Sequence, residues 1–136
     1  MSHQRPSGNR QVWRRVAALA GLTGVGLGAF GAHGLDSMLD NAARDWWAKA
    51  VFYHLSHAVA MLAVALYAEK TEETVFRSVL WGFVFGILLF SGSLYLLALT
   101  HWRWLVWVTP LGGLSLLWGW SRLLVGSGAG RRRESV

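Results

Sequence analysis

Four long apolar stretches, each bounded by charged or turn-forming residues, set the pattern of this chain: residues 16–32, 48–68, 79–100 and 104–125. As helices they would measure roughly 25 to 33 Å, which matches the hydrocarbon core of a bilayer. The expected fold is all-α, an integral membrane four-helix bundle. Between the first two stretches lies DSMLDNAARDWW (36–47), in which Leu35, Met38 or Leu39, Ala42 or Ala43, and Trp46 share helical spacing and Ser37 with Asp40 forms an S-x-x-D box. That pattern predicts a short amphipathic helix lying along the interface, anchored by Trp46 and Trp47 at headgroup level. Residues 1–15 and 126–136 read as flexible basic ends, leaving 16–125 as a four-span membrane domain. A basic start, an apolar run, and the small residues Ala29 and Gly31 also describe a secretory signal, but the spans that follow favour an uncleaved first helix.

Small residues mark where these helices meet. In the first span Ala20, Gly24, Gly28 and Ala32 recur every four residues with Gly31 beside them, and Gly82 and Gly86 share one face of the third. Gly92 follows in the third span, while Thr109, Pro110, Gly112 and Gly113 interrupt the start of the fourth. Lipid supplies no hydrophobic force between helices, so dispersion at short interaxial distance must hold them, and glycine permits that approach. Such faces serve either packing within one chain, or association with other membrane-protein subunits or a second copy.

Composition fixes the class. With 54% hydrophobic and 15% charged residues and a mean hydropathy of +0.36, the chain is too apolar for an ordinary soluble domain. Its net charge of +6 does not point to nucleic acid, because the basic residues flank the apolar runs. Of the 13 lysines and arginines, four lie in the N-terminal segment, Lys70 and Arg77 follow the second span, and Arg122 and Arg131 to Arg133 close the chain. Only Arg44, Lys49 and Arg103 remain for the other side. The positive-inside rule therefore places both termini in the cytoplasm, with four crossings of the plasma membrane. The absence of cysteine excludes disulfides, thiolate nucleophiles and iron–sulfur clusters.

Under that topology the polar side chains gather in the outer leaflet. His33 closes the first span, Tyr53, His54 and His57 lie in the outer half of the second, Ser91, Ser93 and Tyr95 approach the outer end of the third, and Thr109 enters the fourth. His54 and His57 are three residues apart and so face the same way. That suits two ligands of one metal, two hydrogen-bonding imidazoles, or contacts to a porphyrin or quinone. The plainer reading is a structural network, since polar side chains in membrane bundles commonly bond across helices at about 0.6 kcal/mol each. No acidic or basic residue lies in the middle of any span, so a carboxylate proton relay, a charged ion path or a voltage sensor has nothing to work with. Ser91 and Ser93 lack the context of a serine nucleophile. No catalytic residue and no resident cofactor is expected.

The motifs LGAFGAHGL (27–35), YHLSHA (53–58), LFSGSLY (89–95) and TPLGG (109–113) resemble the YgdD and transmembrane-protein-256 family, over about residues 16–126. The resemblance implies a small four-helix membrane protein of bacterial inner membranes and eukaryotic relatives, with no established activity. Its motif positions carry over as His33, Tyr53, His54, His57, Ser91, Gly92, Ser93, Tyr95, Thr109, Pro110 and Gly112. The chain departs from the family in its longer arginine-rich ends. The leading functional expectation is a non-enzymatic accessory or scaffold protein. The alternative is a haem, metal or quinone site at the histidines, and passive permeation of small solutes ranks below both.

Overall fold

The computed structural model describes residues 8–35, 37–67 and 73–129. The N-terminal seven residues, Asp36, residues 68–72 and the last seven lie outside it. With them go most of the expected flexible ends and the basic residues Arg5, Lys70 and Arg131 to Arg133. The described chain is all-helical: α1 (Gly8–His33), α2 (Asn41–Tyr67), α3 (Glu73–Gly86), a π-helical turn (Ile87–Ser91), α4 (Gly92–Thr100), a 3-10 turn (Arg103–Trp107) and α5 (Val108–Ala129). Because α3, the π turn and α4 run on without a break, there are four helical rods. Three of them, Arg10–His33, Asn41–Tyr67 and Thr74–Thr100, are long and apolar enough to cross a membrane. The fourth, α5, is 22 residues long, but Pro110, Ser115, Ser121, Arg122 and its glycines dilute its hydropathy.

Element boundaries depart from the sequence reading in four places, each for a packing reason. Helix α1 begins at Gly8, so Arg10, Arg14 and Arg15 ride on a helix instead of a loose flank. Trp13 and Ala17, 6% and 2% exposed, pin that first stretch into the core, where Trp13 meets Trp81 edge-on at 5.2 Å. The expected interfacial helix is not a separate element. Residues 37–39 are turn, and α2 starts at Asn41 and passes unbroken through Trp46 and Trp47. Its cap is Asp40, whose Oδ1 accepts the Ala43 N–H at 2.8 Å, while Ser37 stays exposed. Trp47 faces the bundle interior, 5% exposed, and donates its indole N–H to the Leu27 carbonyl at 3.0 Å.

The third departure is the π turn. Gly92 N–H reaches back five residues to the Ile87 carbonyl, adding one residue to that loop of helix. The fourth concerns α5: Pro110 falls in its opening turn, where a missing N–H costs little, so it starts the helix and does not interrupt it.

Each rod packs on the next in chain order, α1 on α2, α2 on the third rod, and the third rod on α5. The glycine stripes make these contacts. On α1, a Cβ at Gly24 would strike the Leu55 side chain, one at Gly28 would touch Val51 and one at Gly31 would overlap the Trp47 indole. On α3, Gly82 lies against Gly119 and Gly86 against Leu116. Helix α5 runs antiparallel to the third rod, with Gly126 on Val75, Gly119 on Phe83 and Gly112 on the backbone of the π turn at Phe90. The stripes on α1 and α3 thus face inward, onto the neighbouring rod. Burial rises along this order: 11% of the residues in the most apolar stretch of α1 are buried, against 39% in α2 and 56% in the third rod.

An added Cβ at Gly112 would overlap Phe90 N and come within 2.7 Å of Leu89 C and Phe90 Cα, backbone that cannot rotate away. Gly112→Ala is therefore expected to cost about 1–3 kcal/mol. Gly26→Ala, which meets nothing within 4 Å, is expected to gain roughly 0.5–1 kcal/mol from helix propensity. Thermal unfolding of the two variants in one detergent measures both.

Candidate functional site, a polar layer at mid-span

Two apolar cores fill the bundle. One gathers Trp13, Met61, Phe76, Leu80, Phe83, Ile87 and Leu116 toward the start of α3. The other gathers Leu35, Leu39, Trp47, Leu94, Tyr95 and Leu105 toward the end of α4. Between them sit the buried polar residues His54, His57, Ser91 and Ser93, with relative exposures from 0 to 7%. His54 is the central residue of α2, which runs from Asn41 to Tyr67, and its partner Thr23 lies near the middle of α1. The layer thus lies midway along the rods, and α2 begins seven residues earlier than the hydropathy pattern implied.

The hydrogen bonds of the two histidines fix their protons. His54 Nδ1 lies 3.3 Å from the Tyr95 hydroxyl and Nε2 lies 3.4 Å from Thr23 Oγ1. The single Thr23 proton is drawn to the Leu19 and Ala20 carbonyls at 2.9 and 3.1 Å, so a lone pair faces the imidazole. This arrangement favours the hydrogen on Nε2 of His54, with donation running from Tyr95 through His54 and Thr23 to the α1 backbone. His57 is the opposite tautomer. Its Nε2 accepts the Trp120 indole N–H at 3.1 Å, and its Nδ1–H donates to the Tyr53 carbonyl at 2.8 Å. An indole only donates and a carbonyl only accepts, so no other arrangement satisfies both.

Although three residues apart on one helix, the two imidazoles divide their partners. His54 joins α2 to α1 and α4, while His57 joins α2 to α5 and meets Phe83 edge-on at 5.3 Å. They do not converge on a shared point as two ligands of one metal would. Among the described residues no group of three or more metal-ligating side chains comes together. His33 lies exposed at the end of α1, about 15 Å along the helix from Thr23, and takes no part in the layer.

The remaining sequence candidates fall around the π turn. Tyr53, 38% exposed, lies parallel to His57 at 6.0 Å and against Phe90 at 4.5 Å. Ser93 Oγ and Thr109 Oγ1 are 2.7 Å apart and reach the Phe90 and Leu105 carbonyls at 2.9 and 3.2 Å, which ties the π turn to the start of α5. Ser91 is fully buried and its Oγ has no partner in the structure. Tyr95 meets Trp47 edge-on at 4.7 Å. Of the packing glycines, Gly92 and Gly113 make only loose contacts, while Gly112 is closely packed.

Thr23, Trp120 and Ser115 were not anticipated, and Trp47 was expected only as an interfacial anchor. Ser115 donates to the Gly82 carbonyl at 2.8 Å, bonding α5 to α3 beside the glycine contact. A signal existed for Thr23, the one hydroxyl in an apolar run, and for Trp120, which sits in the middle of α5 and not near a helix end where interfacial tryptophans gather.

A groove of about 540 Å³ opens between α2 and α5, walled by Tyr53, His57, Phe90, Pro110, Leu117 and Trp120.

The family described as "Protein of unknown function (DUF423)" matches residues 27–113, from the first residue of LGAFGAHGL to the last of TPLGG. The chain is 44% identical over 112 residues to a UPF0382 membrane protein of Haemophilus influenzae, covering 82% of this chain and 90% of that one. It is 41% identical over 112 residues to a UPF0382 membrane protein of Staphylococcus saprophyticus, covering 82% and 92%. It is also 41% identical over 114 residues to the UPF0382 inner membrane protein YgdD of Escherichia coli, covering 82% and 85%. No solved structure matches the chain.

Nitrogen NMR of the purified protein is expected to show the proton on Nε2 in His54 and on Nδ1 in His57. A double-mutant cycle of His57→Phe and Trp120→Phe should return a coupling of about 0.6 kcal/mol, and no more than about 1.7.

Proposed function

The chain belongs to the DUF423 family of proteins of unknown function, whose named relatives are membrane proteins, and from that premise we propose that it is a non-enzymatic, four-pass accessory or scaffold protein. Its partners are other membrane-protein subunits or a second copy of itself. The observation that carries this reading is where the polar groups are spent. The four ring nitrogens of His54 and His57 face partners on α1, α2, α4 and α5, so the layer holds rods together. The surface left for work is the outer, apolar one. On α1 it includes Leu19, Leu22, Val25 and Phe30, all more than half exposed.

Packing supports four passes. Helix α5 lies antiparallel along the third rod from Phe90 to Val75, so where that rod crosses, α5 crosses beside it. The excess of basic residues in the two terminal segments and in residues 69–78 supports an orientation with both termini in the cytoplasm.

A second reading rests on the groove between α2 and α5. Its aromatic walls suit the flat ring of a quinone better than a haem or a bare metal ion, because both nitrogens of His57 are already engaged. Extractable quinone that disappears in Trp120→Leu would favour it, and a protein free of quinone when purified gently would count against it.

The chain has no cysteine, so single cysteines report topology directly. Ser37→Cys and Arg103→Cys should react with an impermeant maleimide from outside the cell, and Gln11→Cys and Val125→Cys only after permeabilisation. Purification in mild detergent should recover a stoichiometric partner or a homo-oligomer. Leu22→Trp, at a position 71% exposed, should weaken that association at least about tenfold while changing stability by less than about 0.5 kcal/mol. A strictly monomeric protein with no partner would overturn the scaffold reading.

A further inference from the structure

We propose that the groove between α1 and α3 is a binding site for one diacyl anionic phospholipid, with the phosphate on Arg77 and an acyl chain laid along the groove. The site has a volume of about 370 Å³ and is lined by Val12, Trp13 and Val16 from α1 and Arg77, Trp81 and Val84 from α3. Its floor is the edge-on contact of Trp13 with Trp81. Arg77, Trp81 and Val84 follow one another at helical spacing, so the groove runs about 10 Å from a cationic mouth to a wholly apolar end. A lipid has that same order, an anionic head followed by hydrocarbon.

Three facts favour this occupant over a helix or a free anion. Arg77 is exposed and makes no hydrogen bond or ion pair with another described residue. The same end of the bundle carries Arg10, Arg14 and Arg15 on the opening turns of α1 and Arg122 near the end of α5. Asp40 and Asp45 are both at the opposite end, where Lys49 and His101 face them. A free phosphate would leave the apolar length of the groove unused, and an apolar helix would leave the guanidinium against hydrocarbon. In sequence Glu73 precedes Arg77 by four residues, the spacing at which opposite charges attract on a helix.

Native mass spectrometry of the full chain in mild non-ionic detergent tests this, with phosphatidylglycerol and phosphatidylcholine of identical acyl chains added in turn. The wild type should retain one phosphatidylglycerol at least about fivefold more tightly than phosphatidylcholine, the effect expected of one guanidinium near an anionic headgroup. Arg77→Gln should abolish that preference and leave phosphatidylcholine unchanged. Glu73→Gln should strengthen it. Val84→Trp, which fills the apolar end but keeps the charge, should weaken both lipids, and glycerol phosphate alone should not compete. Equal retention of the two lipids by the wild type, an unchanged preference in Arg77→Gln, or displacement of lipid by a second copy of the chain would each overturn the proposal.

Discussion

The constraint on which this bundle rests is that an imidazole at the middle of a membrane-spanning helix must find its hydrogen bonds in the protein. The two rings are 6% and 7% exposed, and a buried polar group left unsatisfied costs several kcal/mol. His54 and His57 meet that demand in opposite tautomers, and in doing so they determine which rods lie beside α2. Tyr95 offers a proton to one ring and Trp120 to the other; Thr23 and the Tyr53 carbonyl accept. Such bonds are individually weak, about 0.6 kcal/mol on average in membrane proteins. Their value is directional: an alternative docking of α1 or α5 would strand a buried nitrogen. Dispersion between apolar faces accepts many registers, whereas a ring with one donor and one acceptor accepts few.

Close approach supplies the rest, and it is concentrated where backbone meets backbone. The π turn at Ile87–Ser91 pushes the third rod toward α5, and Gly112 is the residue able to receive it. The turn also ends on Ser91, a buried hydroxyl with no hydrogen-bond partner among the described residues. Ser93, two residues on, reaches the Phe90 carbonyl and Thr109.

Much of this architecture was legible in the sequence, and the parts that were not share a cause. Four apolar runs, the glycines at positions 24, 28, 82 and 86, and the grouping of His54, His57 and Tyr95 could be read directly, because spacing along one helix determines which residues share a face. Depth could not. Hydropathy starts a span at its first long apolar run, so 48 looked like the beginning of α2, whereas Trp47 and Ala43 are buried and the helix starts at Asn41. The histidines accordingly sit midway along α2, and His33, exposed at the end of α1, lies outside the group. Partner identity was also hidden: 60° of rotation between His54 and His57 suffices to send one toward α1 and the other toward α5. A tryptophan gives no sign in sequence whether its indole N–H faces a headgroup or a buried imidazole, and Trp120 does the latter.

The way α1 is held follows from the same economy of polar contacts. It is the least buried rod, and its side chains facing α2 are mostly small, so it adds little dispersion of its own. What fixes it is the carbonyl groups of its backbone. Leu27 accepts the Trp47 indole at one level, and Leu19 and Ala20 draw the Thr23 proton that leaves a lone pair for His54 at another. Those carbonyls already belong to the helix ladder and have a second lone pair to give, so α1 is attached without breaking its own hydrogen bonds. Glycine at 24, 28 and 31 is what allows these two contacts, because a methyl at 24 or 31 would meet the leucine or indole that must sit there. Small residues and mid-span polar groups are thus two halves of one device, the first setting the distance between rods and the second their register.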